Sequence, residues 1–155
     1  MQQANTARRS PTADELRAWR LFIETSSQLG SVLNSRLQSE SGLSSADYSV
    51  LLALTEAAGK QLRSSDLATH VGWERSRLSH HLGRMEGRGL IRRDDCATDS
   101  RGAEIVLTDA GAAAFRKASS SHLHAVHELF VDALTPEQIA AAGEIAAALK
   151  IRLDA

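Results

Sequence analysis

The feature that most constrains this chain is a pair of short amphipathic segments held apart by one glycine. Ser64 can cap a brief helix carrying Leu67, Ala68 and Val71, and Gly72 then breaks it. A second helix starts at about Glu74, with Leu78, Leu82 and Met85 facing inward at steps of four and three, and Gly87 and Gly89 bracket its end. A strand-rich stretch follows at once. Leu90–Arg93 and Glu104–Leu107 alternate, with Ile91, Ile105 and Leu107 as buried candidates and the polar loop Asp94–Ala103 between them. Two short helices joined by a tight turn and followed by a hairpin describe a winged helix-turn-helix.

Helical segments flank this unit. Residues 1–11 are polar, end in Pro11 and read as a disordered tail. From Thr12 a long helix carries Leu16, Trp19, Ile23, Gly30, Leu33 and Leu37 as an interrupted stripe, and Gly42 stops it. Ser44 with Asp47 three residues on is a capping-box variant, opening a helix whose expected buried face is Tyr48, Leu51, Leu52 and Thr55. Leu62 can form a short strand. Thr108 caps a fifth helix with Phe115, Ala118, Val126 and Leu129 as its stripe. Thr135-Pro136-Glu137-Gln138 opens a last one bearing Ile139, Ala142, Ala146, Leu149 and Leu153. Alanine occurs 25 times and strand formers are sparse, so the fold class is mainly α with a small β-hairpin wing.

Composition excludes several classes. The longest apolar runs are five residues (Val50–Leu54 and Ile145–Leu149), so neither a membrane span nor a signal segment is expected, and the cytoplasm is the expected location. One cysteine precludes a disulfide framework within the chain. A net charge of −1 excludes a globally basic nucleic-acid coat, yet residues 60–104 hold nine basic and seven acidic residues while the remainder is net acidic. A local basic surface survives.

A helix that enters a major groove must be narrow and polar on one face, with hydrogen-bond donors near its start. Residues 74–84 meet that demand: Arg75, Ser76, Arg77, Ser79, His80 and Arg84 lie largely off the apolar stripe. The same charges would also suit a solvated helix face. His80 is a candidate base contact; its neighbour His81 is expected to pack partly under the wing.

Here the sequence resembles the MarR family of bacterial transcription regulators. The resemblance rests on the ordered set Leu67-Ala68, Gly72, Arg75-Ser76-Arg77-Leu78-Ser79, Arg84-Met85-Glu86, Gly89-Leu90-Ile91-Arg92-Arg93, Asp99-Ser100-Arg101 and Val106-Leu107-Thr108-Asp109-Ala110-Gly111. It covers roughly residues 14–153. The family implies a homodimer with interlocking N- and C-terminal helices, here residues 12–43 and 109–155, around a DNA-binding lobe at 44–108. It also implies palindromic double-stranded operators, usually bound as a repressor and released by a small aromatic effector. Two departures stand out: the wing tip lacks the family's usual proline, with Cys96 near that place, and Gly83 lies inside the recognition helix.

In the wing, Asp99 and Arg101 are two apart and project to one side, so Asp99 can orient Arg101 toward a minor groove. A solvated surface pair is the plainer alternative. Cys96 invites a redox-sensing reading, but Asp94, Asp95 and Asp99 would raise its thiol pKa. His124 and His127 share a helix face while His122 falls on the apolar stripe, so a metal would need Glu128 or a second chain and none is expected. No nucleophile–base signature or phosphate loop is present, so no catalytic residue and no cofactor are assigned. Trp19, Ile23, Tyr48 and His122 are the candidate effector pocket, each fitting ordinary core equally well. The alternative to a regulator is a purely helical protein-interaction module.

Overall fold

The computed structural model describes residues 10–95 and 102–155, and within them helix ends fall where the chain supplies caps and glycines. Helix α1 (Ala13–Ser41) runs to Gly42, which takes a φ of +72°. Helix α2 (Ser45–Glu56) opens on a reciprocal capping box: Ser44 Oγ accepts the Asp47 N–H and Asp47 accepts the Ser44 N–H, both at 3.0 Å. A 3-10 turn (Ala58–Lys60) leads into β1 (Gln61–Arg63). Then come α3 (Ser64–Val71), Gly72 in the left-handed region at φ +70°, and α4 (Arg75–Gly87). Strands β2 (Ile91–Asp95) and β3 (Ala103–Leu107) precede α5 (Asp109–Val126), a π-helical turn (His127–Val131) and α6 (Pro136–Leu153). Thr108 caps α5 through the Gly111 N–H, and Thr135 with Gln138 forms a second capping box ahead of Pro136.

The hairpin is part of a three-stranded antiparallel sheet of order β1-β3-β2. Leu62 pairs with Ile105, and Ile91 with Leu107, so the apolar positions named from alternation all lie against the helices. The fold is a winged helix-turn-helix, mainly α. Its core gathers Leu51 and Leu54 of α2, Leu67 of α3, Leu78, Leu82 and Met85 of α4, Ile91, Ile105 and Phe115.

Packing divides the chain within α1, into residues 1–32 and 33–155. In the first unit Leu16, Trp19, Leu21, Phe22 and Ile23 are all exposed. In the second, α6 buries no residue at all: along its stripe Ile139 and Ala142 are half-buried, and Ala146, Leu149 and Leu153 are exposed. No described helix is long and apolar enough to cross a membrane.

Three local expectations are corrected. Along α2, Val50, Ala53 and Leu54 are buried with Leu51, whereas Tyr48, Leu52 and Thr55 are only half-buried. The helix is packed by α3, α5, β1 and β3 and so is covered nearly all round rather than along one stripe. Ser64 is the first residue of α3 and not its cap; β1 holds the chain extended through Arg63, which takes the cap position without a side-chain capping bond. On α5 the residue buried beyond Ala118 is Ala125, two turns on, while Val126 turns about 100° further round and is half-buried.

Candidate nucleic-acid interface

Helix α4 is fixed by one face and displays the other. Leu78, Leu82 and Met85 are fully buried, and Arg75, Ser76, Arg77, Ser79, His80 and Arg84 are all exposed. At about 100° per residue, the line farthest from the buried stripe runs through Ser76, His80, Gly83 and Gly87. Arg75 and Ser79 form one flank of that line; Arg77 and Arg84 form the other. Its C-terminal half carries two glycines, so the exposed ridge is thin there.

The flank bearing Arg77 is held from behind. The Arg77 guanidinium sits over the Trp73 ring, 4.4 Å from its centroid, and Trp73 meets His81 edge-on at 5.4 Å. His81 therefore packs against Trp73 and α2, not under the wing. The wing lies along the Ser79–Gly83 side of α4, and His81 points the opposite way. Arg84 Nη2 lies 3.0 Å from His81 Nδ1. Because an arginine can only donate, Nδ1 must be the acceptor, which puts the ring proton on Nε2. That atom lies 3.0 Å from Asp47 Oδ1, off the line of a good hydrogen bond.

Asp47 is the hub of this arrangement, with only 3% of its surface exposed. It closes the capping box of α2, accepts from Arg88 Nη1 at 2.7 Å and faces His81; Arg88 Nη2 also donates to the Gly42 carbonyl at 3.0 Å. Burial acts to raise its carboxyl pKa, but hydrogen bonds from Arg88 and Ser44 with the charges of Arg88 and His81 outweigh it and hold the group below its ordinary value. His81 is pushed down, first by burial and also by the Arg84 and Arg88 charges, against the pull of Asp47. A neutral His81 is what the Arg84 contact requires.

On the opposite flank, Arg93 of β2 crosses α4. Its Nη2 donates to the Ser79 carbonyl at 2.7 Å, and its backbone N–H is taken by Glu86 at 3.0 Å. A Cβ on Gly83 would stand 3.7 Å from that guanidinium, an ordinary contact. At the far end of the sheet, Thr108 Oγ1 donates to the Gly89 carbonyl, and any side chain on Gly111 would overlap the Leu90 carbonyl oxygen. These contacts tie the end of α4 to the start of α5. Asp99, Arg101 and Cys96 lie outside the described residues, as do residues 1–9 of the tail.

Of the four effector-pocket candidates, Tyr48 and His122 come together, ring centroids 5.0 Å apart, with Phe115 5.2 Å from Tyr48. The Tyr48 hydroxyl lies 3.3 Å from Ser119 Oγ, and His122 Nδ1 is buried without a hydrogen-bond partner among the described residues. Trp19, at 60% exposed, and Ile23 stand on the first unit's stretch of α1. Glu128 is engaged by Arg36 through two bonds of 2.7 and 3.0 Å, which hold its carboxyl below its ordinary pKa, and is not available to His124 and His127 as a ligand. Among the described residues no three His, Cys, Asp or Glu side chains gather to hold a metal.

Sequence reading missed Trp73, Arg88 and Arg93 as organisers of this surface. Asp47 carried a signal, as the residue that answers the Ser44 cap in the capping box, but its partner Arg88 is 41 residues away and nothing local announces the pair.

A family model described as MarR family matches residues 41–102. AbsC, a MarR family transcriptional regulator from Streptomyces coelicolor, is 37% identical, with 94% of this chain and 98% of that one covered at a TM-score of 0.87. Sco3205, another such regulator from the same organism solved in complex with DNA, is 38% identical over 92% of this chain and 89% of that one, TM-score 0.86. A cysteine-to-serine mutant of MarR from E. coli, complexed with operator DNA, shares the fold at 21% identity and a TM-score of 0.76, covering 90% of this chain and 99% of that one. No curated protein matches the chain.

Proposed function

From the premise that this chain belongs to the MarR family and is a DNA-binding transcription regulator rather than an enzyme, we propose that it acts in the cytoplasm as a homodimer. Its target is a palindromic double-stranded operator, where it serves as a repressor. The observation that carries this reading is α4 itself: an apolar face locked into the core and an opposite face bearing Arg75, Ser76, Arg77, Ser79, His80 and Arg84. Ser76 and His80, on the outermost line, read base edges, Arg77 reaches one from its flank, and Arg75 and Arg84 meet phosphates or the outer base edges. Arg101, oriented by Asp99, takes the flanking minor groove. Residues 44–108 form the DNA-reading lobe. The DNA-bound form of Sco3205, 38% identical, supports the same use of this lobe.

The dimer is supported by apolar surface that the single chain leaves open: Leu16, Trp19, Phe22 and Ile23 in the first unit, and Ile145, Leu149, Ile151 and Leu153 on α6. Helices from residues 12–43 and 109–155 join two protomers. A small aromatic effector held near Tyr48, Phe115 and His122, with the His122 Nδ1 as its polar partner, releases DNA by favouring a dimer with wrongly spaced recognition helices.

Salt titration of duplex binding tests the reading. Affinity falls steeply as salt rises, because phosphate contacts release counterions. A flat response, or no duplex affinity at physiological salt, points instead to a protein-interaction module.

A further inference from the structure

The guanidinium of Arg84 is not simply solvated: it is docked on a buried group of its own helix. His81, 8% exposed, is faced by a charged or aromatic group from each side. Asp47 of α2 lies 3.0 Å from its Nε2, Trp73 meets the ring edge-on, and Arg84 Nη2 lies 3.0 Å from its Nδ1. Two more cations stand behind these, Arg88 on the Asp47 carboxylate and Arg77 over the Trp73 ring. One carboxylate therefore serves a cluster of three arginines, and only a neutral imidazole lets Arg84 rest among them. At about 100° per residue, Arg84 lies about 40° from His80 on the outermost line of α4, and His81 about 60° further round, toward α2. The bond thus draws the Arg84 guanidinium back from the surface that α4 displays. A cleft of about 260 Å³ beside the ring, walled by Ser44, Trp73, Arg77, His80 and Arg84 among others, leaves room for that side chain to depart.

We infer that His81 is a proton-controlled latch on Arg84, holding its guanidinium against the protein while the ring is neutral and releasing it to the duplex when Nδ1 takes a proton. The inference rests on the DNA-binding reading above and deepens it, by setting the condition under which Arg84 reaches DNA. Neutral, Nδ1 offers the lone pair that an arginine donor needs; protonated, both ring nitrogens donate, and two donors would face each other at Nδ1. The proton comes from solvent through the cleft, and the contact it breaks is the one to Arg84. The Nε2–H facing Asp47 stays, now with the attraction of opposite charges. Repulsion between two adjacent cations drives Arg84 outward, toward the displayed ridge. In the free protein burial, with the Arg84 and Arg88 charges, keeps the His81 ring below its ordinary pKa. Duplex phosphates near the ring act the other way and favour its charged form. The complex therefore holds more protons than the separate molecules, so binding tightens as pH falls.

Duplex titrations at pH 7.5 and 5.5 with three proteins test it. His81→Gln takes no proton, while its amide oxygen can still accept from Arg84. Arg84→Gln keeps the histidine and removes the latched group. Exposed His80 and the other titrating groups are common to all three, so the differences between proteins isolate His81. Lowering the pH tightens wild-type binding about tenfold more than binding by His81→Gln, as uptake of one proton across about one pH unit requires. It also steepens the wild-type salt slope by about 0.9 more than that of either variant, for the one phosphate that Arg84 newly neutralises. Ring nitrogen spectra of the wild-type protein report the same event: at a pH where the free ring is neutral with its proton on Nε2, the duplex complex carries protons on both nitrogens. Should His81→Gln fail to fold, the Arg84→Gln titration and these spectra decide alone. An equal pH response in wild type and His81→Gln, a full wild-type response in Arg84→Gln, or a ring still neutral in the complex at pH 5.5 overturns the latch and leaves the DNA reading standing. Failure of the wild-type protein to bind any duplex removes both.

Discussion

Two glycines show how much one methyl group can mean in this chain. At Gly111 an added Cβ overlaps the Leu90 carbonyl oxygen and crowds Leu107, and neither backbone nor buried leucine can move aside. Gly111→Ala is expected to lose about 1–3 kcal/mol in urea unfolding, the usual range for forcing a methyl into packed structure. Gly83 is the opposite case: its Cβ meets only the end of Arg93 at 3.7 Å, and helix propensity favours alanine by ~1 kcal/mol. Gly83→Ala is expected to raise the unfolding midpoint; a lowered midpoint contradicts the geometry described. Asp47 and His81 supply the pH dependence. Both have folded-state pKa values below ordinary, so each group's contribution to stability is present above its unfolded pKa and fades as pH falls. For His81 the loss begins near 6.5 and continues downward; for Asp47 it begins only below 3.8. The urea midpoint is expected to drop between pH 7.5 and 5.5, and to drop less in His81→Gln, which takes no proton. An equal drop in both proteins contradicts the neutral, Arg84-bound histidine.

Among elements, α4 carries the proposed interface and its neighbours hold its side chains in place. Arg77→Ala is expected to weaken specific operator binding by about 1–3 kcal/mol and to relax preference at one base pair. Equal weakening on all sequences identifies Arg77 as a phosphate contact instead. Trp73→Leu, which removes the ring under Arg77, is expected to reproduce part of that loss in a binding titration while Arg77 is still present. Element boundaries were legible because their signals are local: Ser44 with Asp47, Thr108, Thr135 with Gln138, and glycines 42, 72 and 89 act on backbone within a few residues. The face of α4 was legible too, since Leu78, Leu82 and Met85 leave only one surface for the polar residues. What escaped was set by distant partners. The environment of His81 depends on Trp73 and on Asp47 in another helix, and the all-round burial of α2 depends on four elements packed around it. Arg93 read as a strand residue; its reach across α4 to Ser79 requires the sheet to be placed first.

For the whole molecule, the charge pattern and the apolar surface are complementary halves of one account. Residues 60–104 are slightly basic and the rest of the chain is acidic, so in the proposed regulator an acidic scaffold would discourage promiscuous association with DNA and leave a few placed arginines to supply affinity. In the proposed dimer the exposed leucines of α6 meet the second protomer: Leu149→Glu is expected to shift sedimentation toward monomer and to lose operator affinity together with it. A Leu149→Glu protein that still sediments as a dimer moves the interface elsewhere. The central claim is that two copies of α4 read a symmetric duplex. Selection of bound sequences from a random duplex pool tests it most directly. The account predicts an inverted repeat whose half-sites lie about 10–10.5 base pairs apart, centre to centre. Enrichment of a single asymmetric site, or of no sequence at all, would contradict it.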